Sequence, residues 1–419
     1  MMSKPRVVIV GGGFGGLNVA RGLKDAPVDV ILIDKTNHHL FQPLLYEVAN
    51  AALTPSDIAM PFRQILRRQK NAFVILGGVK AFDTVARQLL MVDGERISYH
   101  NLVLAVGAKH SYFGNDAWEK FAPGLKTLHD ALRIRERTLM SFEKAERSHL
   151  LEERERWLRF VIIGGGPTGV ENAGAIAEIA HQTMLHNFRR IDPKSSKIIL
   201  VEASSRVLPT FPEELSEKAK QTLEKMGVTV LTGRKVENVD ARGVDVDGEW
   251  IETPNVIWAA GNRASPLLTT LDVPLDRQGR VVVEPDLSIP GHPEVFVIGD
   301  AACVIGKDGK PLPGLAQPAI QEGRYVAKII RYGIPKEKRP PFVYFDLGIM
   351  AAIGKSKAVV AAGPLRLNGF LAWLMWCFVH IFYLIGFRNR ILVMLEWCFW
   401  YLTKQRGSRL ITRPEMNGK

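Results

Sequence analysis

Two glycine clusters are the residues whose spacing most clearly suggests chemistry, and each directly follows an apolar run. The spacing G-x-G-x-x-G occurs at Gly11, Gly13 and Gly16 after RVVIV, and again at Gly164, Gly166 and Gly169 after FVII. In this pattern the first glycine makes a tight turn, the second lets a pyrophosphate approach the backbone, and the third lets a helix pack closely on the strand. The N-terminus of that helix faces the phosphate charge. Each cluster therefore predicts a binding site for a dinucleotide.

An acidic residue ends the next apolar run after each cluster. Asp34 ends VDVILI, 18 residues after Gly16, and Glu202 ends KIILV, 33 residues after Gly169. A carboxylate at this position accepts hydrogen bonds from ribose hydroxyls, which favours NADH over NADPH at the second cluster. The nearby Arg206 leaves a bound 2′-phosphate open as an alternative. We predict that a long helix over residues 170–190 and a loop over 191–196 account for the greater distance to Glu202.

Three further segments are each predicted to be a strand followed by a small-residue turn. They are LVLAVGAK at 102–109, VIWAAGNR at 256–263 and VFVIGDAA at 295–302, which place Gly107, Gly261 and Asp300 at strand exits. Asp300 is suited either to bind a ribityl hydroxyl of a flavin or to cap the next helix, and both alternatives stay open. Strands and helices in this order predict an α/β fold with two Rossmann-like dinucleotide-binding domains.

Length and composition fit an intracellular globular protein with a basic C-terminal end. The 419 residues, 47% of them hydrophobic, are enough for two or three domains. About half of the net charge of +12 lies between Arg366 and Lys419, where only Glu396 and Glu415 oppose eight basic residues. The three cysteines form no CxxC pair, so neither a disulfide framework nor a metal site is expected. The start MMSKP, which runs directly into the first strand, leads us to expect no signal peptide.

The C-terminal end combines apolar and aromatic residues. The segment 370–387 reads FLAWLMWCFVHIFYLIGF, and a second apolar run, 391–402, is interrupted only by Glu396. Aromatic and basic residues together suit a membrane–water interface. We favour a surface anchor of two helices joined near Gly386; a spanning helix, for which 18 residues are at the lower limit, and a buried core or dimer helix are the alternatives. Nucleic acid is not expected as a partner, because the aromatic residues adjoin aliphatic ones.

The order of these motifs resembles that of the two-dinucleotide flavin reductases, whose fold is that of glutathione reductase. HHLFQPLLYEVA at 38–49 and GLAQPAIQEG at 314–323 are similar to signatures of the type II NADH:quinone oxidoreductases. The resemblance implies a divided FAD-binding domain at 1–112 and 266–330, an NADH-binding domain at 113–265 and a membrane-anchoring helical domain at 331–419. It also implies non-covalent FAD, NADH as the donor and a quinone as the electron acceptor.

The resemblance further implies which residues bind and react. Gln317 is expected to hydrogen-bond a quinone carbonyl, with Gln321 on the same helix face, although a polar residue at a helix start is the alternative. Glu171 is expected between the nicotinamide and quinone sites as a positioning group or proton relay, unless it only faces the helix dipole. Lys357 is expected near the quinone headgroup unless it is simply solvated. The FAD side comprises Gly11, Gly13, Gly15, Gly16, Asp34, Lys35, Gln42, Pro43, Gly107, Asp300 and Gln317, and the NADH side comprises Gly164, Gly166, Gly169, Glu171, Glu202 and Gly261.

The resemblance implies oxidation of NADH with two-electron reduction of a membrane quinone in a respiratory chain, without proton pumping. The protein would lie on the cytoplasmic face of a bacterial inner membrane, bound to the bilayer surface through residues 366–413, with a homodimer left open. A sulfide:quinone oxidoreductase is one alternative, but only Cys303 lies near the flavin motif. A soluble NADH-dependent flavin reductase or redox sensor is another, although neither would need the apolar C-terminal segment.

Overall fold

The chain folds into two compact units, seen in a computed structural model that describes residues 4–412. The first unit comprises the chain up to Leu40, Ala59–Lys109 and Asn262–Asp346, and the second comprises Phe41–Ile58, His110–Gly261 and the chain from Leu347 onward. Residues 413–419, which include Glu415 and the last residue of the predicted anchor segment, Arg413, lie outside the described residues, as do the first three. The domain boundaries given above stay a prediction.

Strands and helices are numbered along the chain. The strands are β1 (Arg6–Val10), β2 (Asp29–Asp34), β3 (His38–Leu40), β4 (Ala59–Pro61), β5 (Ala72–Leu76), β6 (Val79–Asp83), β7 (Gln88–Met91), β8 (Arg96–Ser98), β9 (Asn101–Leu104), β10 (Ala108–His110), β11 (Arg159–Ile163), β12 (Lys197–Glu202), β13 (Val228–Thr232), β14 (Val236–Val239), β15 (Gly243–Val246), β16 (Glu249–Glu252), β17 (Asn255–Trp258), β18 (Asn262–Ala264), β19 (Val281–Val282), β20 (Ser288–Ile289), β21 (His292–Val297), β22 (Ala302–Cys303), β23 (Ile349–Gly354), β24 (Lys357–Ala362) and β25 (Leu365–Asn368). The α-helices are α1 (Phe14–Gly22), α2 (Leu45–Ala49), α3 (Pro55–Ile58), α4 (Phe62–Ile65), α5 (Leu128–Arg147), α6 (Leu151–Trp157), α7 (Pro167–Glu178), α8 (Glu213–Lys225), α9 (Ala316–Arg331), α10 (Gly369–Tyr383) and α11 (Phe387–Thr403).

The first unit is built on a six-stranded sheet in the order β20-β21-β9-β1-β2-β5. All neighbours except β20 and β21 run parallel. Val7, Val8 and Ile9 of β1 are completely buried, as expected for a strand covered on both faces. Helix α9 approaches α1 so closely that a Cβ on Gly323 would lie 2.4 Å from the carbonyl oxygen of Gly15. In this sheet β9 and β21, which lie in the strands predicted at 102–109 and 295–302, are neighbours, and β9 also pairs with β1, the strand before the first glycine cluster.

The second unit contains a parallel sheet in the order β13-β12-β11-β17. Helix α7 follows β11 and ends at Glu178, and one π-helical turn, Ile179–Thr183, continues it. The predicted helix over residues 170–190 is therefore wrong beyond Thr183. His186 adopts a φ of 64°, which a right-handed helix does not accommodate. Irregular chain and a short 3₁₀ turn cover the remaining distance to β12.

The C-terminal part of the second unit is an antiparallel meander, β23-β24-β25, followed by α10 and α11. The two helices are joined at Gly386, whose φ of 93° turns the chain between them, and the predicted joint near this residue is confirmed. Among the described residues, we find no helix with the length and apolar character needed to cross a membrane.

Candidate nucleotide and quinone sites

The first glycine cluster forms a tight turn between β1 and α1. Gly11 adopts a φ of 99°, and a Cβ there would lie 2.2 Å from the carbonyl oxygen of Ala105. A Cβ on Gly16 would lie 1.9 Å from the carbonyl oxygen of Gly11, whereas the same position on Gly13 has no heavy atom within 4 Å. The turn is therefore packed against protein on one side and open at Gly13, which fits the approach of a pyrophosphate.

Asp34 secures this turn from the end of β2. Its Oδ2 accepts a hydrogen bond of 2.6 Å from the Gly12 backbone N–H, and its Oδ1 accepts one of 2.7 Å from the Thr36 N–H. The buried His39 lies with Nδ1 3.0 Å from the Gly12 carbonyl oxygen, and burial lowers the pKa of His39 to about 4. The imidazole is therefore neutral at physiological pH, and its Nδ1–H donates to that carbonyl.

The other residues predicted for the FAD side are divided between the two units. Lys35 is exposed directly after Asp34, Gly15 is buried in α1, and Gly107 follows β9 with a φ of 66°. These three lie in the first unit. Gln42 and Pro43 form a 3₁₀ turn of the second unit, Gln42–Leu44, in which the Gln42 amide donates to the Lys126 carbonyl oxygen at 3.1 Å.

Asp300 lies inside a 3₁₀ turn, Gly299–Ala301, and a strand rather than an α-helix follows it. The alternative that Asp300 caps a helix is therefore wrong. The turn is held by Glu322 of α9, whose Oε2 accepts a hydrogen bond of 2.5 Å from the Gly299 N–H. Burial raises the pKa of Glu322 to about 7. Asp300 itself stays partly exposed.

Gln317 and Gln321 occupy the first two turns of α9, as predicted, but they have different surroundings. The Gln321 side chain makes two hydrogen bonds to the backbone of Phe345, donating to its carbonyl oxygen at 2.8 Å and accepting from its N–H at 3.0 Å. Gln317, the second residue of the helix, is partly exposed. Gln321 thus has a structural role, whereas Gln317 is not held to the backbone in this way.

The second glycine cluster reproduces the first within the other unit. Gly164 has a φ of 107°, a Cβ on Gly169 would lie 1.7 Å from the Gly164 carbonyl oxygen, and the space at Gly166 is open. Glu202 accepts a 2.5 Å hydrogen bond from the Gly165 N–H and a 2.7 Å hydrogen bond from the Ser204 N–H. The residues present therefore fit a second dinucleotide.

Arg206, near Glu202, and Gly261, after β17, are the remaining residues considered for the NADH side. Arg206 donates to the Pro209 carbonyl oxygen at 3.1 Å and lies 3.9 Å from the Glu213 carboxylate, so it is engaged by its own segment. Gly261 follows β17 with a φ of 71°.

Glu171 faces a small cavity inside the second unit. The cavity has a volume of about 20 Å³, and its polar lining includes Glu47, Glu171, Glu178, Tyr46 and Arg406. Glu171 lies on α7, two residues after Gly169, and its carboxylate accepts a hydrogen bond from the Ala352 backbone N–H. Burial raises the pKa of Glu171 well above its usual range, and the negative charge of Glu47 adds to this. The environment of Glu171 therefore favours the protonated form of its carboxyl group more than water does.

Lys357 lies in a neighbouring cleft and not in the Glu171 cavity. This cleft, of about 430 Å³, is also lined by Lys194, Lys225, His181 and Glu178. Glu178 thus borders both spaces. Its Oε2 accepts a hydrogen bond of 2.9 Å from Arg406, and its Oε1 accepts one from the Lys355 backbone N–H.

The C-terminal helices present many apolar side chains to solvent and bury a few polar ones. On α10, Phe378 is 71% exposed, while Trp376 and His380 are buried. On α11, Asn389 and Trp397 are buried: Asn389 donates to the Ser56 carbonyl oxygen at 3.0 Å, and the Trp397 indole donates to Glu47 at 2.7 Å. This is the reverse of a water-soluble amphipathic helix. The exposed apolar side chains of the pair are Phe370, Leu371, Leu374, Phe378, Phe382, Phe387, Ile391, Met394, Leu395, Phe399, Tyr401 and Leu402.

Comparison with known proteins decides the family. Residues 5–323 match the model of the pyridine nucleotide-disulphide oxidoreductases. The chain is 46% identical to the type II NADH:quinone oxidoreductase Ndh of Mycobacterium tuberculosis, over 97% of this chain and 90% of that protein. The chain belongs to the type II NADH:quinone oxidoreductases. The second such enzyme of that organism, NdhA, is also 46% identical, over 97% of this chain and 89% of its own.

Solved structures show that proteins with low sequence identity to this type II enzyme have the same fold. NDH2 from Plasmodium falciparum, solved in complex with NADH, superposes with a TM-score of 0.87 at 21% identity, covering 98% of this chain and all of that one. The sulfide:quinone oxidoreductase of Aquifex aeolicus superposes with a TM-score of 0.74 at 16% identity, covering 92% of each chain. These likenesses concern the fold alone. The family resemblance inferred from the motifs is confirmed by the sequence matches.

The buried polar groups around Glu171 are the part of this type II enzyme that the sequence analysis missed. Glu47, Glu178 and Arg406 are each at most 5% exposed, and Asn50 is fully buried. The Asn50 amide donates to Asn172 at 3.0 Å, and Arg406 donates to the Asn50 carbonyl oxygen at 2.6 Å. A single acid inside an apolar run, as in LLYEVA and AIAEIA, was an available signal for a buried carboxyl group.

Proposed function

We propose that this chain oxidises NADH through bound FAD and passes two electrons to a membrane quinone, in a respiratory chain and without pumping protons. One observation carries the proposal: the 46% identity to a type II NADH:quinone oxidoreductase, which extends over 97% of the chain. The two glycine turns support it, because each presents an open glycine and a carboxylate that already holds the turn.

The first glycine turn, with Asp34, is proposed to hold FAD, and the second turn, with Glu202, is proposed to hold NADH. Asp300, on the turn held by Glu322, is proposed to bind the ribityl chain, and Lys35, Gln42, Pro43 and Gly107 to line the FAD site. When bound, FAD would supply the redox chemistry that links the oxidation of NADH to the reduction of the quinone. The protein itself orients the two nucleotides and excludes water.

On the quinone side, we propose that Gln317 donates a hydrogen bond to a quinone carbonyl and that Glu171 supplies a proton. The partial exposure of Gln317 at the start of α9 supports the first role, in contrast to Gln321, whose side chain is hydrogen-bonded to Phe345. The position of Glu171 at its cavity, where burial raises the pKa of its carboxyl group, supports the second. Lys357 lies beside Glu178 in the neighbouring cleft, so we propose that it acts on that carboxylate rather than on the quinone.

The outward apolar side chains of α10 and α11 are proposed to rest in the surface of a bilayer. Without a bilayer, water would be in contact with an apolar surface that soluble monomers seldom expose. The exposed Arg388, two residues after Gly386, suits anionic headgroups, whereas Arg390 donates to the carbonyl oxygens of Leu384 at 2.8 Å and Phe382 at 2.7 Å. We place the protein on the cytoplasmic face of a bacterial inner membrane. The homodimer stays a prediction, which sedimentation in detergent tests.

A two-step kinetic experiment tests the function. The FAD-loaded chain is mixed with NADH in a stopped-flow instrument without oxygen, and the reduced flavin is then mixed with a short-chain quinone. We expect NADH to bleach the flavin absorbance and the quinone to restore it. Bleaching without restoration by quinone would instead indicate a flavin reductase or redox sensor. Bleaching of the flavin by sulfide but not by NADH would indicate a sulfide:quinone oxidoreductase.

A further inference from the structure

One face of helix α9 lies against both turns that are proposed to hold FAD in the first unit. A Cβ on Gly323 would lie 2.4 Å from the carbonyl oxygen of Gly15, at the start of α1. Four residues earlier, and therefore on the same helix face, the Ala319 Cβ would lie 3.3 Å from a Cβ on Gly299. Gly299 begins the 3₁₀ turn that carries Asp300. Helix α9 therefore fixes the glycine turn and the Asp300 turn relative to each other.

Glu322 is the ionisable residue beside this face, and its carboxyl group is directed at the second turn. Its side chain is 2% exposed, and its Oε2 accepts a hydrogen bond of 2.5 Å from the Gly299 N–H. This hydrogen bond favours the ionised carboxylate, whereas burial favours the neutral acid. Burial has the larger effect and raises the pKa of Glu322 to about 7. The residue that holds the Asp300 turn therefore changes its charge near neutral pH.

Few other charges face Glu322. Asp300, on the turn that Glu322 holds, contributes to the raised pKa of Glu322 through its negative charge. Helix α1, which packs on α9, has Arg21 as its one charged residue, and that side chain is exposed. On α9 itself, Arg324 and Lys328 are exposed. The charged groups at the turn itself are therefore two carboxyl groups.

Bound FAD would disfavour the ionised form of Glu322 in two ways. Its pyrophosphate is negatively charged, and the turn proposed to hold it includes Gly15, which touches Gly323, the neighbour of Glu322. It would also displace water from the site. Repulsion by a like charge and removal of water both raise the pKa of a carboxyl group. Because binding and protonation influence each other reciprocally, the protonated form of the chain binds FAD more tightly.

On the basis of the proposed function, in which Asp300 binds the ribityl chain, we propose that Glu322 is a positioning residue for FAD. Its carboxyl group holds the Asp300 turn in place, and its charge state sets how tightly the enzyme retains FAD. Retention is strongest below pH 7, where Glu322 is protonated with and without FAD. Retention falls as pH rises through 7, because the FAD-free form then loses a proton that the FAD-bound form keeps.

The test measures FAD retention as a function of pH. The FAD-loaded full chain is diluted into buffers from pH 6 to 9, and free FAD is separated by ultrafiltration and quantified by its absorbance. For the wild type we expect the Kd for FAD to rise by roughly tenfold over this range, which corresponds to a difference of about one pKa unit between the FAD-free and FAD-bound forms. A Kd that does not change with pH would overturn the inference.

Two substitutions of Glu322 separate its charge from its hydrogen bond. Glu322→Gln keeps an acceptor for the Gly299 N–H but has no charge, so the Kd should stay near the wild-type value at pH 6 and lose its dependence on pH. Glu322→Ala leaves that N–H without its acceptor, so the Kd should be roughly tenfold higher than in Glu322→Gln at every pH. A merely structural role would weaken retention without removing the pH dependence.

The matched control is Glu337→Gln, a carboxyl-to-amide change at an exposed residue of the first unit, which should keep the wild-type pH profile. Asp300→Asn is a second, independent variant. It removes the negative charge that contributes to the raised pKa of Glu322, so the fall in retention should begin at a lower pH. If Glu322→Gln does not fold, the direction of this shift decides.

The outcomes distinguish the role of Glu322 from the function on which it rests. Wild-type pH dependence that persists in Glu322→Gln would overturn the inference alone. Asp300→Asn that retains FAD as tightly as the wild type at pH 6 would overturn the proposed role of Asp300 and the positioning role of Glu322 with it. Wild-type flavin that NADH reduces but quinone does not reoxidise would overturn the proposed quinone reduction and leave the role of Glu322 standing.

Discussion

Arg406 and Glu178, 228 positions apart in the chain, meet at 2.9 Å in the interior of the second unit, where neither side chain is more than 5% exposed. Arg406 follows the last helix, and Glu178 ends α7. The guanidinium also stacks on Trp400, with 5.2 Å between its Cζ and the ring centroid. The helical hairpin of α10 and α11 is thus followed by a residue, Arg406, that places a buried positive charge next to the carboxyl groups around Glu171.

Replacing Arg406 alone should lower the free energy of unfolding more than replacing both Arg406 and Glu178. Arg406→Met leaves the Glu178 carboxylate buried without its cation, and we expect a loss of about 3–5 kcal/mol in the free energy of unfolding. Adding Glu178→Gln should recover part of that loss, because the remaining group is neutral. Denaturant unfolding of the FAD-loaded variants measures both effects. Equal stability of Arg406→Met and the wild type would contradict a charged pair at this place.

Glu47 should make stability fall as pH rises. Its pKa is raised from 4.5 to about 7 by burial, so its contribution is fully present below pH 4.5 and is lost as pH rises through 7. The shift corresponds to about 3 kcal/mol. Glu47→Gln lacks this dependence, so its melting temperature relative to that of the wild type should be higher at pH 8 than at pH 5. Glu217→Gln is the control, and no such pH-dependent difference is expected for it.

Glu202→Gln should shift nucleotide preference toward NADPH. The amide no longer repels a 2′-phosphate, and it keeps only one acceptor for the two backbone N–H groups that Glu202 now serves. We expect the ratio of kcat/KM for NADPH to that for NADH to rise by roughly two- to tenfold, the effect of about one neutral hydrogen bond. Asp34→Asn, the same change at the matching position of the first cluster, should weaken FAD retention without altering that ratio. An unchanged ratio in Glu202→Gln would mean that Glu202 does not determine the preference for NADH over NADPH.

Gln317→Ala should affect only the quinone half of the reaction. The loss of one neutral hydrogen bond predicts a two- to tenfold slower reoxidation of the flavin by quinone, that is, about 0.5–1.5 kcal/mol. Reduction by NADH should stay the same, and single-turnover kinetics separate the two steps. Gln321→Ala is the control: it breaks two hydrogen bonds to Phe345, so it should lower thermal stability instead. Equal slowing of both steps in Gln317→Ala would mean that this residue supports the flavin.

Charges on the outer face of the hairpin should release the protein from lipid. Phe378→Glu with Leu402→Glu places two carboxylates where the side chains are 71% and 80% exposed, away from the buried stripe of Trp376 and Trp397. Co-sedimentation with anionic liposomes should be lost, since carboxylates resist entry into the acyl region. Flavin reduction by NADH should persist. Val85→Glu, at a residue of the first unit that is 90% exposed, is the control and should leave sedimentation intact. Undiminished liposome binding of the double variant would refute the anchor.

This substitution is a sharper test of the anchor than truncation near Asn368. The same helices bury Trp376 and Trp397, and the chain beyond them supplies Arg406 to the interior. A truncated chain would therefore lose the partners of Glu47 and Glu178 together with its outer apolar face. Loss of membrane binding would then be indistinguishable from loss of folding.

The sequence by itself determined the parts whose geometry is local. A glycine turn between a strand and a helix is specified within a few residues, because Gly11 must adopt a positive φ and Gly16 must leave room for the Gly11 carbonyl. For the same reason Asp34 and Glu202 were correctly placed at strand ends, and the joint of the apolar hairpin was found at Gly386. The sequence pattern also predicted too long a helix after β11. The helix ends with the π-helical turn Ile179–Thr183, which helix propensities do not predict.

Only the tertiary structure decided which isolated charges share a space. Glu47, Glu171, Glu178 and Arg406 come from three distant parts of the chain, and no local pattern relates them. Their pKa values depend on burial and on one another, and both arise only when α2, α7 and the end of the hairpin are packed together. The dinucleotide turns could be predicted from the sequence because steric limits on the backbone act between neighbouring residues. The pKa shifts in the interior could not, because they depend on charged residues that only folding brings close together.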